Sequence, residues 1–107
     1  MPWAGTRSLA GIGCVAMIAM FWAGCREPSP AEGAALFGRH CARCHIAHPG
    51  QASPAPLLSG YFYRSPRPTV RDARSVIREG RRAMPPFGAR LSAPEVDDLV
   101  AYLETLR

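Results

Sequence analysis

The sequence predicts a compact all-α domain of three to four helices, preceded by a leader that is not part of the fold. Three observations carry this. Ser92-Ala93-Pro94-Glu95 is a capping box opening an amphipathic run that reaches the C-terminus. Thr69 stands before a second run of helical spacing that stops at Gly80. Prolines at 49, 54, 56, 66 and 68 exclude regular helix from the stretches between. A chain of 107 residues allows one domain at most.

Residues 1–24 read as a signal peptide of the lipoprotein type. Arg7 and the amino terminus form the positive start, and Leu9–Ala23 is an uncharged, mostly apolar run. That run is shorter than the about 20 residues a membrane span needs. It ends in Phe21-Trp22-Ala23-Gly24-Cys25, which resembles the lipobox of bacterial lipoproteins, where small residues precede a cysteine that is acylated. Trp22 and Phe21 depart from the usual leucine. An uncleaved anchor or an ordinary cleavage site is the alternative, and Cys14 reads as a passenger in the apolar run. Residues 25–30, with two prolines and two charges, read as a short extended tether, leaving 31–107 for the domain.

Glu32–Phe37 is the first helix-compatible run, with Glu32 favourable near the positive helix start. Gly33 and Phe37 are four apart and share a face. A glycine inside a helix costs about 1 kcal/mol against alanine, which points to close approach by another element; fraying is the bland reading.

Next comes Cys41-Ala42-Arg43-Cys44-His45, the C-x-x-C-H attachment signature of c-type haem. Two thiols at this spacing can add to the vinyl groups on one porphyrin edge, and the following imidazole suits iron as proximal ligand. Three other readings fit less well. A structural zinc site needs four ligands, usually in two pairs, and only scattered His40 and His48 are nearby. A thioredoxin-like pair needs a βαβ context. A disulfide between Cys41 and Cys44 would close too short a loop to stabilise much.

From Ile46 to Ser59 the chain reads as loop. Tyr61-Phe62-Tyr63 follows; it could line a haem edge, but ordinary core packing is expected. Thr69 is the candidate N-cap of a helix to about Gly80, with Val70, Ala73, Val76 and Ile77 on its apolar side. Arg71, Arg74 and Arg78 fall on another side, either a solvated face or a docking patch for an acidic redox partner.

The loop Arg81–Gly88 holds Met84. Met1, Met17 and Met20 lie in the leader, so Met84 is the one methionine of the domain. Two following prolines push it to an extended conformation and stiffen the loop. A thioether on a rigid loop meets the needs of a sixth iron ligand; filling a core gap is the alternative. His40 and His48, so close to His45, are poorly placed to reach the opposite side of a ring. In the last helix Val96, Leu99, Val100, Leu103 and Leu106 form one apolar stripe flanked by Tyr102, and Asp97 and Asp98 sit near its positive end.

Taken together, residues 31–107 resemble a class I cytochrome c of the small bacterial monohaem type. The resemblance rests on Gly33 and Phe37 before Cys41–His45, on Pro56-Leu57-Leu58-Ser59-Gly60, on Met84-Pro85-Pro86-Phe87 and on the final helix with Tyr102. It implies a compact cytochrome c fold, with three to four helices around one covalent haem c. It implies crossing terminal helices, for which Gly33, Phe37 and Tyr102 are suited. It also implies a proline carbonyl that orients the proximal histidine, with Pro56 the candidate and Pro54 the runner-up.

The expected site is therefore Cys41 and Cys44 as thioether anchors, His45 and Met84 as iron ligands, Pro56 behind the histidine and Cys25 as the lipidation site. The expected function is one-electron transfer in the bacterial cell envelope by a non-enzyme, lipid-anchored to a membrane and facing the periplasm. Respiratory proteins with acidic surfaces are the expected partners. Alternatives are a haem subunit of a larger oxidase or dehydrogenase, or a five-coordinate haem enzyme or gas sensor if Met84 is not bound. The net charge of +5, all 13 basic residues being arginine, could suggest nucleic acid. No nucleic-acid motif accompanies it, and two haem propionates would offset part of the charge, so no nucleic-acid partner is expected.

Overall fold

The computed structural model describes residues 26–46 and 50–107. The leader, Cys14, Cys25 and His48 lie outside them. Helix α1 is Pro30–His40, α2 is Ala42–His45, α3 is Val70–Glu79 and α4 is Ala93–Thr105. A 3-10 turn covers Tyr61–Tyr63. Among the described residues there is no strand, only an isolated bridge between Arg81 and Met84. The all-α expectation of three to four helices holds.

Each helix starts where local chemistry satisfies its free amides. Ser29 caps α1 with Pro30 in the first turn, its hydroxyl accepting from the Glu32 amide at 3.3 Å. Thr69 and Asp72 form a reciprocal capping box on α3, and Ser92 and Glu95 form another on α4. Gly80 ends α3 at φ 75°, a conformation that suits glycine.

The core is one cluster. From α4 it takes Val96, Leu99, Val100 and Leu103, the stripe read from the sequence, with Leu106 half-buried beside it. Leu36 and Phe37 enter from α1, and Ala73 and Ile77 from α3. The last contributions are Phe62, Phe87 and Leu91 from the connections. At an order of magnitude, each fully buried large apolar side chain contributes about 1.5–3 kcal/mol of transfer free energy.

Helices α1 and α4 cross at Gly33. A methyl group there would lie 1.9 Å from the Asp98 carbonyl oxygen and 2.8 Å from the Tyr102 Cβ. Beside the crossing, the Phe37 and Tyr102 rings pack with centroids 5.4 Å apart, tilted by 57°. The close approach that the glycine suggested is therefore present.

The stretch read as a tether differs from that expectation over its described residues. Helix α1 already begins at Pro30, and the segment before it is tied to α4. Asp98, only 2% exposed, accepts from the Arg26 guanidinium at 2.8 Å and from the Ser29 amide at 2.7 Å. Burial pushes this carboxyl up, but the Ser29 amide and the Arg26 guanidinium outweigh that and hold it below the usual carboxylate range.

Candidate haem-binding site

The C-x-x-C-H turn is built by the end of α1. Cys41 bonds through its amide to the Phe37 carbonyl at 2.9 Å and caps α2. The His45 amide returns to the Cys41 carbonyl at 3.0 Å. The following loop braces this turn from outside. The Ala55 amide donates to the Cys44 carbonyl at 2.9 Å, and the Ser53 hydroxyl lies 2.8 Å from the same oxygen.

Of the two motif cysteines, Cys41 is half-buried and Cys44 exposed. Burial, with a smaller contribution from Cys44, pushes the Cys41 thiol up to about 11. No strand lies among the described residues, so they lack the βαβ setting of a thioredoxin-like pair. The described residues contain no cluster of three or more Cys, His, Asp or Glu able to hold a metal ion, so they provide no zinc site.

His45 makes one specific contact. Its Nδ1 lies 2.7 Å from the Pro56 carbonyl oxygen. A carbonyl only accepts, so Nδ1 carries the hydrogen and donates. The lone pair is thereby left on Nε2, the nitrogen free to bind a metal. Pro54, the runner-up, makes no such bond.

Met84 reaches the site on a stitched loop. Arg81 and Met84 exchange both main-chain hydrogen bonds, at 3.1 and 3.0 Å. Arg82 at the tip adopts φ 55°. The Phe87 amide then donates to the Ile77 carbonyl at 2.9 Å, and the Gly88 amide to the Arg78 carbonyl at 3.0 Å. The loop is thus fastened along the last turn of α3.

These elements meet at an apolar slot. His45 lines it, and Met84 lines it too. The remaining lining is Leu58 and Tyr61, with Ala73, Val76 and Ile77 of α3 and Leu103 of α4. Its lining thus offers one imidazole and one thioether among groups that do not ionise in the ordinary pH range. That donor set suits iron in a flat apolar macrocycle better than a hard cation or a zinc ion.

The other candidates fall elsewhere. His40 packs edge-on against Phe87, with centroids 6.1 Å apart, and does not line the slot. The aromatic triplet divides three ways, since a 3-10 turn sends successive side chains about 120° apart. Phe62 enters the core, Tyr61 lines the slot, and Tyr63 is 52% exposed between the Arg67 and Arg107 guanidiniums. On α3, Arg74 is not free: its Nε lies 2.6 Å from Asp97 Oδ1, so only Arg71 and Arg78 of the proposed patch lack an ion pair among the described residues.

A helical domain with crossing terminal helices, a C-x-x-C-H turn and a facing Met-Pro loop is a class I monohaem cytochrome c. The family model described as "Cytochrome C oxidase, cbb3-type, subunit III" matches residues 28–103, and the chain belongs to this cytochrome c family. Cytochrome c6 of Aphanizomenon flos-aquae is 32% identical over 75 residues, covering 67% of this chain and 84% of the relative. Cytochrome c6 of Microcystis aeruginosa is 29% identical over 73 residues, covering 67% and 90%. The crystal structure of cytochrome c6 from the diatom Phaeodactylum tricornutum superposes with a TM-score of 0.58 at 30% identity, covering 72% of this chain and 92% of that one. The protein is an electron-transfer cytochrome c, not an enzyme, and carries one haem c bound covalently through cysteine.

Proposed function

We propose that this cytochrome is a membrane-tethered carrier of single electrons in the cell envelope, facing the periplasm, with its haem iron held by His45 and Met84. In this reading Cys41 and Cys44 form the thioethers, and lipid on Cys25 provides the anchor. The observation that carries the ligand assignment is that His45 and Met84 line one apolar slot while Pro56 fixes the imidazole with Nε2 free.

The haem supplies one-electron chemistry, its iron alternating between ferrous and ferric. The chain supplies the rest. Nδ1 of His45 donates to the Pro56 carbonyl, which fixes the ring and leaves Nε2 for the iron. The Arg81–Met84 turn holds a soft thioether donor, which favours the ferrous state and raises the potential. Leu58, Ala73, Val76, Ile77 and Leu103 give the slot an apolar wall. With His45 and Met84 both bound to it, the iron would have no open position for a substrate. Exposed arginines, Arg71 and Arg78 among them, would steer partners with acidic surfaces.

The test is the visible spectrum of the ferric protein. A weak band toward the red, present in the wild type and lost in Met84→Ala, is the expected result. A high-spin ferric spectrum in the wild type would overturn the assignment in favour of a five-coordinate haem. A second reading, a fixed subunit of a larger oxidase, is favoured by the description of the matching family model. Purification in mild detergent separates the two: a shuttle elutes alone, a subunit elutes with its complex.

A further inference from the structure

We infer that Arg82 is a positioning residue for the sixth iron ligand. Its left-handed backbone strains the turn that presents Met84, so the sulfur is held less tightly than the same turn would hold it with glycine at 82. The inference rests on the reading of Met84 as ligand and goes beyond it by naming a residue that sets the strength of that bond.

The turn is a tight one. Arg81 and Met84 close it by exchanging both main-chain hydrogen bonds, at 3.1 and 3.0 Å, which makes Arg82 and Ala83 its central residues. Arg82 adopts φ 55° there, the one non-glycine residue with positive φ among the described residues. Two-residue turns whose first central residue has positive φ favour glycine, asparagine or aspartate, because in that conformation a Cβ crowds the following carbonyl. Arginine has the Cβ and lacks a short polar side chain that could bond to its own backbone. Its side chain is exposed, so burial does not offset the backbone cost.

The surroundings give this strain little other outlet. On one flank α3 ends at Gly80, where a Cβ would lie 2.6 Å from the Met84 carbonyl oxygen, so the start of the turn is already packed against its end. On the other flank Pro85 and Pro86 restrict the backbone. Beyond them the Phe87 and Gly88 amides are tied to the Ile77 and Arg78 carbonyls at 2.9 and 3.0 Å. With both flanks fastened to α3, the turn relaxes by breaking the Arg81–Met84 pair, and that frees Met84 from the slot it lines. The cost of the left-handed residue therefore falls on the hold over the sulfur. Charge acts in the same direction, since Arg78, Arg81 and Arg82 are all exposed, with Glu79 the one acid among them.

The experiment titrates the full-length ferric haem protein with imidazole, which takes the place of the Met84 sulfur on the iron, and reads the loss of the red band. Arg82→Ala removes the charge and keeps the left-handed cost. Arg82→Gly removes both, so the comparison of these two variants isolates the backbone. Arg82→Asn also removes the charge, and asparagine tolerates this conformation better than alanine. Glycine's own freedom in the opened turn returns part of the gain, so imidazole should bind the Gly variant about threefold more weakly than the Ala variant, with Asn between them. A role in overall stability alone would move thermal unfolding and leave the imidazole affinities equal. Equal affinities in the Ala and Gly variants, or tighter binding by the Gly variant, would overturn the inference while leaving Met84 as ligand. A wild type without the red band would overturn both readings, so the two failures are told apart.

Discussion

Gly33→Ala tests the α1–α4 crossing. The added methyl would lie 1.9 Å from the Asp98 carbonyl oxygen and 2.6 Å from its carbonyl carbon. Both are main-chain atoms of α4 and cannot rotate aside. Ordinary carbon contacts sit at about 3.5–4 Å, so the helices must part by roughly 1.6 Å. Overpacking costs about 1–3 kcal/mol, and a rigid backbone obstacle places this case near about 3. Alanine gains up to about 1 kcal/mol in helix propensity, leaving a net loss of about 2 kcal/mol. For a domain this small, that lowers Tm by roughly 8–16 °C. Gly38→Ala is the matched control: it lies in the same helix and its Cβ would meet nothing within 4 Å. It should be neutral or stabilising by up to about 1 kcal/mol. The assay is thermal and guanidinium unfolding of both haem-loaded variants by far-UV circular dichroism. Equal stability of the two variants would refute the reasoning.

Three further predictions follow from the same contacts. Gly80→Ala places a Cβ 2.6 Å from the Met84 carbonyl oxygen at a residue with φ 75°, so it should weaken the Met84-dependent red band while the covalent haem mass stays unchanged. Asp98→Asn should cost about 1–3 kcal/mol at neutral pH by weakening a buried hydrogen-bond acceptor, measured by guanidinium unfolding. The folded Asp98 carboxyl lies below its ordinary value, so its contribution is complete above an unfolded pKa of about 3.9 and is lost as pH falls through the lower folded value; the variant should show a flatter acid limb in that window. Ser92→Ala removes the acceptor of the Glu95 amide and should cost about 1 kcal/mol of stability while leaving the visible spectrum unchanged.

The parts of the fold legible in the sequence are those set by neighbours in the chain. The α4 capping box, the Thr69 start and the Gly80 stop of α3 all depend on residues a few positions apart, and each lies where that local chemistry puts it. The α1 start is written in the same code, since Ser29-Pro30-Ala31-Glu32 has the capping-box spacing, but two prolines and nearby charges also fit an extended tether. Asp98 was not legible. On α4 it resembles Asp97, a charge near the positive helix end, and its burial depends on groups 69 and 72 residues away. Nothing local in the triplet 61–63 says that a 3-10 turn will send Tyr61 to the slot, Phe62 to the core and Tyr63 to the surface. The slot itself needs α3, α4 and two loops at once. Sequence could name His45 and Met84, but only the folded chain shows them lining one cavity.

The most direct test of the central claim uses Met84 as its own reporter, since it is the sole methionine after Met20. Protein labelled at the methionine methyl group is reduced to the diamagnetic ferrous state, and the methyl resonance is recorded. A methyl held over the macrocycle by a sulfur–iron bond lies in the ring-current shielding cone, so the account predicts a Met84 signal shifted far upfield, absent in Met84→Ala. A Met84 methyl at the ordinary position for an unbound methionine would contradict it.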